Sequence, residues 1–363
     1  MKRITGFDVA RAVAVFGMVI VNFKVVMFAE MRGSGWLQNA TGLLEGRAAA
    51  TFVILAGVGA SLMTARARSE GDLQALERAR SLLLRRAGFL LVAGYLFVLI
   101  WPADILHYYA FYIGIGALLL AASDRALWMW ALLAAALFTG LYTFAGYWDQ
   151  LDAIYLTYDG FWTPVGLVRN LLFNGWHPVL PWVGFYLVGM WLGRRDVRNR
   201  GTRWRIIGAA AVIAAAAEVV ASFFEPIVFD IVAEGPSSLG VVAGKGALLA
   251  AEPLPPGPIY LLAAGGTAVV IILLCVEVGL RWPDCRAVRW AAVTGELALT
   301  VYFAHVLLGM GTLEAMGRLD SQTLGFAMGA AAVFMVVAVV FAVVWRRFQR
   351  RGPVEWAMRR LSG

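Results

Sequence analysis

The chain has three histidines, and two of them stand where acid–base chemistry is feasible. Asp104 and His107 are three residues apart, a spacing that puts both on one face of a helix, where the carboxylate would orient the imidazole and stabilise its protonated form. His177 lies in the segment GWHPVLPW, at the start of a long apolar run. Each histidine is therefore a candidate general base, and the competing interpretation for each is a packing or interfacial residue.

Metal binding is a second chemistry that these side chains permit. Four of them are of a type that binds zinc: His107, His177, His305 and Asp104. No two histidines are four residues apart, however, so the sequence lacks the tight helical pair that many zinc sites use. We predict no metal site.

The elements that position these residues are predicted to be membrane-spanning helices. Of the 363 residues 61% are hydrophobic and 15% charged, whereas about a quarter are charged in soluble domains. A helix needs about 20 apolar residues to cross a bilayer. Ten stretches are candidates: 9–29, 48–65, 87–101, 104–122, 127–146, 177–193, 206–224, 259–280, 290–311 and 323–345. We predict an all-α polytopic membrane protein of about ten transmembrane helices, folded as a single domain over 1–363, with 163–174 as a half-helix in the interface.

The basic residues indicate the orientation of these spans. With a cytoplasmic N-terminus, 24 of the 31 lysines and arginines fall in cytoplasmic segments, as the positive-inside rule requires. Five fall in outer segments: Arg32, Arg47, Arg169, Lys245 and Arg318. We predict that both termini are cytoplasmic and that the formal charge of +8 reflects orientation, with no nucleic-acid partner.

This orientation brings the polar residues of the spans to one side of the membrane. At about 1.5 Å per helical residue, five residues fall toward the outer side at similar depth: Asn22, Asp104, His107, His177 and His305. Ionisable groups within spans are costly and mark functional sites by default. The outer side is therefore the predicted site.

Four other residues each have two interpretations. Asp8 and Arg11 are spaced as an intrahelical ion pair, although Arg11 could instead bind the phosphate of a nucleotide-like donor from the cytoplasm. Trp176 and Trp182 flank His177, and tryptophans at span ends usually belong to the interfacial aromatic belt. The alternative is that they line a sugar or acyl pocket.

Five segments in order resemble one family. The first span, RITGFDVARAVAVFGMVIVNF, is similar to the opening of YeiB-like bacterial membrane proteins and of heparan-alpha-glucosaminide N-acetyltransferase. Glu45-Gly46-Arg47 with the following TFVILAGVGASL resembles the start of their second span. The later segments ADILHYYAFYIGIGALLL, HPVLPWVGFYLVGMWLGR and GELALTVYFAHVLLG resemble segments of YeiB-like and related proteins. The resemblance covers most of the chain.

The resemblance implies an integral-membrane acyltransferase of the bacterial inner membrane. Such proteins pass an acyl group, often acetyl, from a CoA donor on the cytoplasmic side to an amine or hydroxyl acceptor, commonly a sugar, on the far side. The glucosaminide transferase carries its catalytic histidine in the loop after the first span, but residues 30–47 here contain none. Either His177 or His107 supplies the base, or the chain is not a working transferase. We favour His177, because the proline after it leaves an irregular backbone of the kind that lines cavities.

The remaining roles follow from this hypothesis. Asp104 would orient His107, and Asn22 would donate a hydrogen bond to the thioester carbonyl or its oxyanion. In the more distant family-3 membrane acyltransferases, an arginine and a histidine occupy the positions of Arg11 and Asn22. The predicted substrate-binding residues are His305, Glu45, Arg47, Arg11, Trp176 and Trp182.

The alternative is a transporter or flippase of a lipid-linked or small anionic substrate, in which the same polar residues line a path. A structural or binding membrane protein with interfacial histidines is a third interpretation. Besides membrane lipids, the acyltransferase hypothesis requires acyl-CoA and a glycan or small-molecule acceptor as partners. The Gly-Ala-rich tenth span (GFAMGAAAV) is compatible with a homodimer, or with close packing within one chain.

Overall fold

A computed structural model describes residues 3–152, 155–233 and 246–363, with the backbone alone over 225–233. Lys245 lies outside the described residues. The helices are α1 (Thr5–Val26), α2 (Gly35–Gly42), α3 (Arg47–Met63), α4 (Ala65–Glu70), α5 (Leu73–Val98), α6 (Leu106–Leu118), α7 (Asp124–Phe144), α8 (Pro164–Arg169), α9 (Val179–Leu192), α10 (Arg200–Ala233), α11 (Pro258–Arg281), α12 (Arg286–Glu296), α13 (Ala298–Ala304), α14 (Gly311–Ala315), α15 (Leu324–Trp345) and α16 (Pro353–Ser362). Two-residue strands β1 (Leu151–Asp152) and β2 (Thr157–Tyr158) pair antiparallel, with Leu151 opposite Tyr158.

The all-α membrane architecture is confirmed. Within the described residues, eight helical segments are long and apolar enough to cross a membrane, and each matches a predicted span. They are Thr5–Val26, Gly35–Met63, Leu73–Val98, Asp124–Phe144, Arg200–Phe224, Pro258–Arg281, Ala298–Ala315 and Leu324–Trp345.

The other two predicted spans, 104–122 and 177–193, are helices but are shorter than expected. They form α6, with 13 residues, and α9, with 14. At 1.5 Å per residue each is about 20 Å long, against a hydrocarbon core of about 30 Å. Both helices begin at a later residue than the predicted spans do. The Asp104 carboxylate accepts hydrogen bonds from the first backbone N–H groups of α6. Pro178 has an extended conformation before α9. These two helices are also largely buried within the protein.

Residues 163–174 form the short helical segment that the sequence predicts. Thr163 caps α8, its hydroxyl accepting from the Gly166 N–H, and Pro164 occupies the first turn, where its missing N–H costs nothing. One π-helical turn, Asn170–Asn174, continues the helix.

Backbone contacts group the chain into two compact units. The first contains Met1–Leu55, Val197–Arg203 and Ala268–Leu361; the second contains Ala56–Asp196, Trp204–Thr267 and Ser362–Gly363. The single domain over 1–363 stays a prediction. In the first unit α1 packs on α12, and in the second α6 packs on α5 and α9, while α9 also packs on α7.

Glycine allows the close approach of α1 and α12. A Cβ at Gly295 would collide with the backbone of Asp8 and Ala12, which cannot move aside as a flexible side chain would. We expect Gly295→Ala to lower the free energy of unfolding by about 1–3 kcal/mol, as overpacking does. Gly88→Ala is the matched control, because Gly88 is exposed in the middle of α5 with open space around it. Equal thermal midpoints for the two variants in one detergent would contradict this packing.

Candidate functional site

Asp104 and His107 form a buried pair at the start of α6. The Asp104 Oδ2 atom accepts hydrogen bonds from the backbone N–H groups of Leu106, at 2.8 Å, and His107, at 3.3 Å. The same oxygen lies 3.2 Å from His107 Nδ1. Asp104 is 0% and His107 1% exposed, so water does not compete for this contact. The predicted pairing across one helical turn is confirmed.

This contact determines which nitrogen of His107 can act as a base. With Nδ1–H donating to the carboxylate, a neutral imidazole has its lone pair on Nε2. Within the described residues the buried Nε2 atom has no hydrogen-bond partner. A carboxylate-anchored imidazole with a free Nε2 has the arrangement of a general base.

Aromatic rings hold the His107 imidazole in place. Tyr95 stacks on it, with ring centroids 5.2 Å apart and planes at 28°, and Phe161 meets it edge-on at 6.4 Å. The approach of α5 depends on Gly94, where a Cβ would collide with the His107 backbone. The ring is thus fixed by packing as well as by Asp104.

His177 lies before α9 and has a different environment. Its backbone carbonyl accepts a hydrogen bond from the Tyr112 hydroxyl, and its ring meets Trp182 edge-on with centroids 4.7 Å apart. The ring is partly exposed, and its buried Nδ1 has no hydrogen-bond partner in the described part of the chain. No carboxylate pairs with His177 among those residues. Of the two histidines, His107 is the better-prepared base.

The two tryptophans beside His177 are placed differently from each other. Trp182 is 0% exposed and packs edge-on against Phe185, so the interfacial-belt interpretation is wrong for it. The sequence could not show this because both faces of α9 are apolar. Trp176 is partly buried against an aromatic cluster containing Phe138 and Phe173.

Two asparagines that sequence reasoning missed support this region from the π-helical turn. Asn170 Oδ1 accepts from the Tyr108 hydroxyl at 2.6 Å. Asn174 Oδ1 accepts from the Tyr158 hydroxyl at 2.6 Å, and its amide donates to the Tyr147 carbonyl at 2.9 Å. π-Helical turns are frequent at functional sites. The available signal was two asparagines four residues apart in the half-helix 163–174.

Asn22 and His305 form a second polar pair, in the first unit. Asn22 Nδ2 lies 2.9 Å from His305 Nε2, and His305 Nδ1 faces the Tyr302 carbonyl. Because a carbonyl only accepts, Nδ1 carries the proton and Nε2 accepts from the Asn22 amide. His305 also begins a π-helical turn, His305–Met310. The sequence had placed the two residues at one depth, and their contact agrees with that.

The three remaining predicted site residues, Arg11, Glu45 and Arg47, are also in the first unit, and the first two form ion pairs. Arg11 pairs with Asp8, as its spacing predicts, and Asp8 also accepts from Arg3 Nε at 2.8 Å. Glu45 pairs with the buried Lys24. Arg47 is buried at the start of α3 and makes contacts there. Asp104, His107, His177, Trp176 and Trp182 are in the second unit.

These features define a class: a multi-pass membrane protein with a buried, carboxylate-oriented histidine. Residues 3–223 match the family described as heparan-alpha-glucosaminide N-acetyltransferase, catalytic, and residues 257–363 match the family described as protein of unknown function (DUF418). The chain belongs to the heparan-alpha-glucosaminide N-acetyltransferase and YeiB-like family of membrane acyltransferases. No curated protein matches it. Among the described residues, no group of three histidine, cysteine or acidic side chains is placed to hold a metal ion.

Proposed function

We propose that the protein transfers an acyl group, in the simplest case acetyl, from acyl-CoA at the cytoplasmic face of a bacterial inner membrane to a sugar-like amine or hydroxyl acceptor on the other side. The observation that carries the proposal is the buried His107, anchored through Nδ1 by Asp104 and free at Nε2. A path that only conducts a substrate needs polar lining groups but no proton acceptor, unless transport is coupled to protons. Acyl transfer to an amine or hydroxyl does, because the acceptor must lose a proton as it attacks.

In the proposed reaction, His107 and Asp104 carry the proton transfers. His107 Nε2 takes the proton from the acceptor as the acceptor nitrogen or oxygen bonds to the thioester carbonyl carbon. Asp104 stabilises the imidazolium that forms. When the tetrahedral intermediate collapses, the carbon–sulfur bond breaks, and the CoA sulfur leaves with the proton held by His107. The products are the acylated acceptor and free CoA, and both side chains return to their starting states.

The other assigned residues have roles that stay predictions. His177 would contact the acceptor beside α9, and Trp176 and Trp182 would shape that pocket. The Asn22 amide has two N–H donors, and one of them donates to His305. The other would donate to the oxyanion.

An acceptor screen with purified protein tests the proposal. Acetyl-CoA is supplied with a panel of amino sugars, other glycans and small amines, and free thiol release and product mass are measured. We expect thiol release that depends on one acceptor class, with one acetyl group added per CoA released. Absence of CoA binding and thiol release, together with flux of a lipid-linked or anionic substrate through proteoliposomes, would instead establish a transporter or flippase.

A further inference from the structure

Three arginines lie close together in the second unit, and we call Arg68, Arg194 and Arg195 the basic cluster. Arg68 is near Arg194 because Ser61, whose carbonyl accepts from Arg68, packs against Gly193. A single carboxylate, Asp124 at the start of α7, serves two of them: Arg194 Nη1 is 2.9 Å from Asp124 Oδ1, and Arg195 contacts Oδ2. One negative charge is thus shared by two positive ones.

Arg68 adds a third positive charge that no carboxylate balances among the described residues. Its guanidinium donates to the Thr64 hydroxyl and, at 2.9 Å, to the Ser61 carbonyl, both of which are neutral. Burial, and then the positive charge of Arg194, lowers the pKa of Arg68 to about 10. The basic cluster therefore holds more positive charge than its own contacts neutralise.

Part of this charge also lacks hydrogen-bond acceptors. Arg194 Nε and Nη2 and Arg195 Nε are buried and have no partner within the described part of the chain. Leaving charged donors unpaired in the interior is costly. An anion with several oxygens would satisfy them, and arginine forks match phosphate geometry.

The basic cluster lies at the far end of the helices that begin near the histidines. Three contacts in order show that α6 and α9 run parallel: Tyr112 with the His177 carbonyl, Gly116 with the Tyr186 ring, and the Ala122 carbonyl with Arg194 at 2.7 Å. The histidines are thus at the amino ends and Arg194 follows the carboxyl end. The helices are about 20 Å long, a distance of the order of an extended pantetheine arm.

We propose that Arg68 and Arg194, with Arg195, bind the phosphates of acyl-CoA, so that its pantetheine arm runs along α6 and α9 to His107. This inference rests on the proposed function and identifies where its donor is held. The predicted orientation places both arginine-bearing segments on the cytoplasmic side, where CoA is available. It also gives a reason for the shortness of α6 and α9, since longer helices would put the thioester out of reach of the base.

The competing explanation is that these arginines only cap helix carbonyls, and Arg80 provides the matched control. Arg80 Nε donates to the Ala117 carbonyl at the end of α6 at 3.2 Å, but Arg80 has its own carboxylate partner, Glu77. If these arginines only capped helix carbonyls, Arg80→Gln and Arg194→Gln would have the same affinity for CoA. If phosphate binding is the role, only the basic-cluster variants lose affinity.

The test measures CoA binding by calorimetry on the purified, folded protein without any acceptor, so it does not depend on turnover. Removing one charged hydrogen-bonding group should weaken CoA binding by at least about tenfold in Arg68→Gln and in Arg194→Gln. CoA binding in Arg80→Gln should equal that of the wild type. Pantetheine, which lacks the phosphates, should bind equally to all four proteins. Thermal midpoints confirm folding, and Arg68→Gln is decisive if Arg194→Gln does not fold.

Each outcome bears separately on the inference and on the proposed function. Equal CoA affinity in all four proteins overturns the inference, while acetyl transfer by the wild type would still support the proposed function. Selective loss in the two basic-cluster variants supports the site even if no acceptor is acetylated, a result that would count against the transferase. No CoA binding to the wild type overturns both. Phosphatidylglycerol binding in mixed micelles, lost in the same variants and with no CoA binding, would assign the cluster to lipid headgroups.

Discussion

Replacing His107 by glutamine is expected to lower kcat for acyl transfer by about 10²–10⁴-fold, the range for loss of a general base. Glutamine keeps much of the side-chain volume and can still donate to Asp104, so the fold around α6 should survive. It cannot take a proton from the acceptor. Because the basic cluster is unchanged, the KM for acyl-CoA should change little. Steady-state kinetics with the acceptor found in the screen measures both constants.

His177→Gln is the matched control for this prediction. The same substitution removes the other candidate base, which has no carboxylate partner among the described residues. We expect a much smaller loss of kcat, with the main effect on the KM for the acceptor. The reverse result, with His107→Gln active and His177→Gln inactive, would reinstate His177 as the base and make the Asp104–His107 pair structural.

Glu277→Ala is expected to cause the largest loss of stability, about 3–5 kcal/mol, because it leaves a buried charge without its partner. Arg203 is 4% exposed, and its Nε lies 2.8 Å from Glu277 Oε2 near the end of α11. Its remaining hydrogen bonds go to the backbone carbonyls of Val197, at 2.7 Å, and Arg198, at 3.1 Å. Neither of these neutralises the guanidinium.

Glu70→Ala is the control for the buried pair. Glu70 also contacts an arginine, with Arg66 Nε at 2.8 Å, but both side chains are exposed. Exposed pairs contribute about 0–1 kcal/mol, so this variant should unfold close to the wild type. A small and equal shift of the thermal midpoint in both variants would mean that Glu277 does not stabilise the buried charge of Arg203.

The features that sequence predicted best are those set by neighbouring residues. Apolar runs indicated each of the eight helical segments that, within the described residues, are long and apolar enough to cross a bilayer, because that property depends on length and composition alone. Helical spacing of three likewise predicted the Asp8–Arg11 and Asp104–His107 pairs, which the structure confirms. Local periodicity is enough for such contacts.

The features that sequence could not predict depend on packing between distant segments. The Asn22 to His305 contact joins residues 283 positions apart, and no periodicity encodes it. The sequence analysis used Arg68 and Arg194 only to orient the spans, and it gave Asp124 no role. In the structure Asp124 pairs with Arg194, and no carboxylate among the described residues balances Arg68, which leaves an excess of positive charge. The residues at which α6 and α9 begin depend on the Asp104 side chain and on the extended Pro178. The hydropathy of these two segments does not show where the helices begin.

Acyl transfer across a sealed membrane, with the donor on one side and the acceptor on the other, is the decisive test of the proposed function. Protein is reconstituted in liposomes with the acceptor trapped inside, and acetyl-CoA labelled on its acetyl group is added outside only, so that molecules with the basic cluster outward are supplied with donor. We predict that labelled acetyl appears on the trapped acceptor while CoA stays outside, and that His107→Gln lowers the initial rate of this labelling by about 10²–10⁴-fold. Labelled acetyl-CoA accumulating intact in the lumen, or no label crossing in a preparation that binds CoA, would contradict the account.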